Sequence, residues 1–125
     1  MSAATPHLPT RVPIEAYGDG RFRFSGMSHA GSLLIIPSGI YGWRPNSIAE
    51  VIESDFAAVF AESADIRFLL LGTGRTMVLA PEPVRRMFAA EGLALEVMDT
   101  GAAVRTYNVL LAEDRPPAAA LIAVD

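Results

Sequence analysis

Two short groups of residues are the best placed in this chain to do chemistry. Gly72-Thr73-Gly74-Arg75 closes an apolar run that begins at Ile66, and Asp99-Thr100-Gly101 closes a second run from Leu93 to Met98. Both read as the C-terminal ends of strands, where ligands bind in open parallel sheets. Asp99-Thr100 also opens a helix, whose free N–H groups and dipole attract anions. Arg75 offers a fork of donors to a carboxylate or phosphate. Arg105 lies one turn into the helix, and Asn108 is the polar residue on its apolar face. Gly72, Thr73, Gly74, Arg75, Asp99, Thr100, Arg105 and Asn108 are therefore the candidate ligand-binding residues, with small anions the class of ligand.

A plainer account stands beside this one. Gly-Thr-Gly lacks the length of a dinucleotide fingerprint and the lysine of a phosphate-binding loop. Asp99 is an ordinary helix cap and itself repels an anion. A buried Asn108 amide needs partners, which the Gly72-Thr73 backbone can supply as well as a ligand. Glu96 and Asp99 are paired carboxylates only in sequence, because a three-residue offset on a strand sends them to opposite faces. His29 reads as an exposed loop residue. No catalytic residue, cofactor or metal site is assigned.

Composition excludes several classes of function. The chain has 125 residues, no cysteine and two histidines, so disulfides, thiolate metal sites, thiol catalysis and histidine metal clusters drop out. Ten basic against fourteen acidic residues give a net charge of −4, which opposes nonspecific binding to nucleic acid or anionic membrane. The proline-containing start shows no signal-peptide pattern. The longest wholly apolar run, Ala118 to Val124, is far below the roughly 20 residues of a spanning helix. These features predict a cytoplasmic protein with no direct membrane insertion and no nucleic-acid partner.

The elements that must position those groups follow from patterning. Residues 1–11 are expected to be a flexible lead-in and residues 12–125 a single domain. Gly18-Asp19-Gly20 is a hairpin turn between Ile14–Tyr17 and the alternating Arg21–Ser25. Leu33-Leu34-Ile35-Ile36 is a strand buried on both faces, and Ile40–Trp43 returns from it as another arm. Tyr41 and Trp43 are sheet packing or, equally, candidate anchors of a protein interface. Ser54 or Asp55 can cap a short helix ending at Phe60. Beyond Ile66 the order is strand, helix, strand, helix, strand. Met77-Val78-Leu79 are expected to tuck onto the core, Pro83 suits a first helical turn, and Gly92 ends that helix. The predicted class is α/β (α+β) in three layers, β+β/α. It has a mixed central sheet, two helices on one face and a small antiparallel sheet on the other.

Several stretches carry a resemblance. In order they are Tyr17-Gly18-Asp19-Gly20-Arg21-Phe22, Ser38-Gly39-Ile40-Tyr41-Gly42-Trp43, Leu71-Gly72-Thr73-Gly74, and Met98-Asp99-Thr100-Gly101-Ala102-Ala103 with Thr106-Tyr107-Asn108. As a set, spread over about Val12 to Val124, they resemble the small-domain family of unknown function whose mitochondrial member is assembly factor 3 of respiratory complex I. The resemblance implies the three-layer fold, no established enzyme activity, and work as a binding partner of another protein during assembly of a membrane complex. The expected function is thus a non-enzymatic interaction or assembly protein. The alternative is a small-molecule binder or unrecognised enzyme using the strand ends at Gly72–Arg75 and Asp99–Asn108.

Overall fold

A central five-stranded sheet divides the molecule, with strands in the order β5-β4-β8-β6-β7. The computed structural model of the chain describes residues 6–125. The strands are β4 (Ser32–Ile36), β5 (Gly39–Trp43), β6 (Phe68–Gly72), β7 (Ala94–Met98) and β8 (Ala118–Leu121). β4 is antiparallel to both β5 and β8, while β6 runs parallel to β8 and to β7. A second, three-stranded antiparallel sheet holds β1 (Ala16–Gly18), β2 (Arg21–Phe24) and β3 (Met27–Ala30). Its first turn has Asp19 at φ +52° and Gly20 at +71°, the doubly positive geometry that an Asp-Gly pair tolerates. Ser25 at +49° and Gly26 at +75° repeat that turn. β3 was missed as a strand because Met27-Ser28-His29-Ala30 has weak strand propensity. It places the half-buried His29 in a strand, with its Nε2 3.0 Å from Ser32 O, and not in an exposed loop.

Among the described residues three α-helices accompany the sheets: α1 (Ala57–Ala61), α2 (Glu82–Glu91) and α3 (Thr100–Ala112). Pro83 lies in the first turn of α2 and Gly92 closes it with φ +71°. Asp99 caps α3 by accepting the Ala102 N–H at 2.8 Å. The segment before α1 is wound into 3-10 turns, Ile48–Glu50 and Glu53–Phe56, in place of one capped helix.

The three-layer class with its mixed sheet is as expected, but the helices are shared between the two faces. α2 seats Val84 and Phe88 in a core with Leu34, Phe56 and Leu69. α3 seats Val104 and Tyr107 in the opposite core, with Phe22, Phe24, Leu33 and Leu121. The reason is handedness. The connection β6–α2–β7 steps outward, and β7–α3–β8 steps back past β6 in the other direction. Two right-handed crossovers of opposite direction put their helices on opposite faces. One outer layer is therefore α1 and α2; the other is the small sheet beside α3.

The N-terminal segment is fastened at two places. Ile40 N–H donates to Leu8 C=O at 2.9 Å and His7 N–H donates to Ile40 C=O at 2.8 Å, which covers the free edge of β5. Residues 1–5 of the expected lead-in lie outside the described residues. Farther on, Tyr107 Oη donates to Val12 C=O at 2.8 Å, and Asn108 both accepts from Ile14 N–H and donates to Ile14 C=O, each at 2.9 Å. Among the described residues no helix is long and apolar enough to cross a membrane.

Candidate functional site

The ends of β6 and β7 and the start of α3 are knitted together by buried threonines. Thr100, fully buried, donates its hydroxyl to Ile122 C=O at 2.7 Å and accepts Gly74 N–H at 2.9 Å. Its own N–H donates to Gly74 C=O at 2.9 Å. Thr73 donates its hydroxyl to Thr76 C=O at 2.6 Å and accepts Val78 N–H at 3.1 Å. Gly72 leaves little room for a side chain, since a Cβ there would stand 3.0 Å from Thr100 Cα and 3.1 Å from Leu121 Cδ2. The close approach is of packing and not of backbone conformation, because Gly72 is not among the positive-φ glycines.

Above this base lies a small cleft of about 280 Å³ lined by Tyr17, Gly74, Arg75, Asp99, Gly101 and Asp125. Of the expected ligand-binding residues it thus gathers Gly74, Arg75 and Asp99. Arg105 does not line it but lies beside Gly101, with Nη1 3.3 Å from where a Gly101 Cβ would be. Gly72, Thr73 and Thr100 lie beneath as scaffold. Asn108 is turned to Ile14 and not to the Gly72-Thr73 backbone. Tyr17, Gly101 and Asp125 went unassigned by sequence, since a hairpin and a chain segment some hundred residues later meet only in the folded molecule. The cleft is electrically mixed. Arg75 donates to Asp125 C=O at 2.8 Å, and the carboxylates of Asp99 and Asp125 share the rim. The helix start is also largely occupied: Thr100 N–H serves Gly74 and Ala102 N–H serves Asp99.

Trp43, read from the sequence as sheet packing or a candidate interface anchor, belongs to the core. It is 8% exposed, donates Nε1–H to Asp55 C=O at 2.9 Å, and meets Phe56 edge-on with centroids 5.5 Å apart. Its position on β5 points it inward, toward α1 and the 3-10 turns. Tyr41 is half-buried, with its hydroxyl on Ser38 Oγ, which in turn donates to Glu62.

The exposed apolar surface is elsewhere. Met77, Val78 and Leu79 are 57%, 42% and 66% exposed, contrary to the expectation that they tuck onto the core. Val84 and Phe88 of α2 already fill the core beneath, and Ala80, next in the chain, is the residue that turns inward. Thr73 and Arg85, the latter donating Nε–H to Ala80 C=O at 3.0 Å, hold the loop in this outward form. Between the loop and β7 runs a 510 Å³ groove lined by Met77, Leu79, Arg85, Phe88, Leu95 and Val97. The signal in the sequence was an apolar triplet between Gly-rich and Pro-rich turns.

Comparison with known proteins gives a consistent picture. A family model described as "Protein of unknown function (DUF498/DUF598)" matches residues 14–122. An uncharacterized protein of Rhodobacter capsulatus is 34% identical over 98% of this chain and 93% of its own length. NADH dehydrogenase (ubiquinone) 1 alpha subcomplex assembly factor 3 of Bos taurus is 32% identical over 91% of this chain; the chain spans 62% of that protein. A crystal structure of a Bartonella henselae protein named an outer membrane protein superposes with a TM-score of 0.89 at 49% identity, covering 95% of this chain and 100% of that one.

Proposed function

This chain belongs to the family of unknown function DUF498/DUF598, and from that membership we propose that it is a non-enzymatic interaction protein that acts in the assembly of a respiratory complex. The similarity to assembly factor 3 supports the setting. The observation that carries the binding role is the loop Met77-Val78-Leu79, three consecutive apolar side chains held outward by the Thr73 and Arg85 hydrogen bonds. A folded protein seldom keeps such a strip in water unless another surface covers it, and a rigid display loses less entropy on binding than a mobile one. The partner is a protein, and the place of action we assign is the cytoplasm.

The test is recovery of the tagged full chain from its own cells, with identification of co-purifying proteins. Wild type should bring down a defined partner, with subunits of a respiratory complex among the expected proteins. Leu79→Asp, at an exposed position, should keep the parent melting point and lose that partner. Equal recovery by the variant, or no partner above an untagged control, overturns the reading.

A further inference from the structure

We propose that β7 is a docking edge, and that its occupant is an extended segment of a partner protein that adds to the central sheet as a sixth strand. That segment is apolar at alternate positions and carries an acidic residue. The inference rests on the interaction reading above and names its surface and mode.

β7 is the outer strand of the sheet and, among the described residues, pairs only with β6. Thr73 N–H donates to Met98 C=O at 2.9 Å, so the backbone of Met98 faces β6. Backbone direction alternates along a strand. Ala94, Glu96 and Met98 therefore bond inward, while Leu95 and Val97 present N–H and C=O to the open edge. The side chains of these same two residues line the 510 Å³ apolar groove. A strand laid along the edge thus finds main-chain partners and side-chain pockets at the same two positions, which is the arrangement of strand addition.

The treatment of the opposite edge makes the point sharper. There the N-terminal segment covers β5 through the Leu8–Ile40 bridge. Among the described residues β7 has no such cover, and it carries no proline, lysine or bulge of the kind that protects an exposed edge. Its one charge, Glu96, lies on the other face from the groove. The groove's rim carries Arg85, whose Nε is tied to Ala80 C=O; among the described residues no carboxylate pairs with it. An acidic side chain on the incoming strand complements this cation. A second copy of β7 laid antiparallel on the first would instead bring another Arg85 to the same face, where like charges repel.

The probe is a library of short synthetic peptides with Val, Leu, Ile or Phe at alternate positions and Asp or Glu at one other, titrated into the full chain and read by amide hydrogen exchange. In the free protein the Leu95 and Val97 amides should exchange fast and those of Glu96 and Met98 slowly. Bound peptide should slow Leu95 and Val97. Val97→Pro removes an outward N–H that the fold does not use, and should weaken binding about tenfold or more with the melting point retained. Arg85→Glu should weaken the acidic peptides and favour basic ones. Peptides N-methylated at alternate residues give the same test without altering the protein, and should fail to bind. Binding that leaves the Leu95 and Val97 amides unprotected, absence of binding across the library, or a dimer by sedimentation that Val97→Pro dissociates would each overturn the proposal. In the native pull-down, a partner kept by Val97→Pro but lost by Leu79→Asp removes strand addition and leaves the interaction reading standing. Failure to recover any partner that depends on Leu79 removes the interaction reading itself.

Discussion

Two glycines within the same junction make opposite demands. A Cβ at Gly72 stands tight against the Thr100 backbone and the Leu121 side chain, both buried. Gly72→Val should cost about 1–3 kcal/mol, the usual range for overpacking a filled core, and lower the thermal midpoint accordingly. A Cβ at Gly101 meets the Tyr17 hydroxyl, the far end of an exposed side chain that can swing away. Gly101→Ala should be neutral or stabilising by up to about 1 kcal/mol, because alanine favours the helix. A large loss for Gly101→Ala would show that Tyr17 is fixed in place. The same residues bear on ligand binding. With Asp99 and Asp125 beside Arg75, the cleft offers an anion little net attraction. Phosphate, nucleotides and small carboxylates should leave the melting point unchanged. A shift abolished by Arg75→Ala would restore the ligand reading.

The stretch from Ile48 to Phe56 is an element held by one carboxylate. Asp55 accepts from Arg44 Nε and Nη2, both at 2.7 Å, and from Ile52 N–H at 2.9 Å. The Arg44 guanidinium, and then the Ile52 N–H, hold the Asp55 carboxyl below the usual carboxylate range. A group whose folded value is lowered binds fewer protons folded than unfolded, so its stabilisation is present above the unfolded value and is lost as pH falls through the folded one. The 3-10 turns over Trp43 should therefore loosen in acid, below about pH 4. Asp55→Asn should lower stability at neutral pH and flatten the acid limb of the stability curve. An acid limb identical to wild type would place the acid sensitivity elsewhere. Helix α3 is held differently. Its buried Tyr107 ring, whose hydroxyl is pushed well above the usual phenol range by burial, stays neutral and a donor to Val12.

At the scale of the whole molecule, the Tyr107 and Asn108 bonds to Val12 and Ile14 fasten the small sheet's entry to the central layer. Asn108→Leu leaves Ile14 N–H and C=O without that partner and should cost about 1–3 kcal/mol. Exchange should quicken first at Ile14 and β1 while β6 and β8 stay protected; uniform acceleration would mean that the layers unfold as one. Much of this architecture was legible in the sequence. The Asp-Gly turn, the apolar Leu33–Ile36 run, Pro83 and Gly92 at the ends of α2 and the Asp99 cap each act through neighbours a few residues away, so local chemistry determined them. Tertiary structure decided the rest. The direction of successive crossovers, which no local pattern encodes, sent α2 and α3 to opposite faces. Core space already filled by Val84 and Phe88 left Met77-Val78-Leu79 outside. Apolarity alone cannot distinguish a side chain that packs inward from one left in water, and that distinction set both the fate of Trp43 and the position of the proposed binding surface.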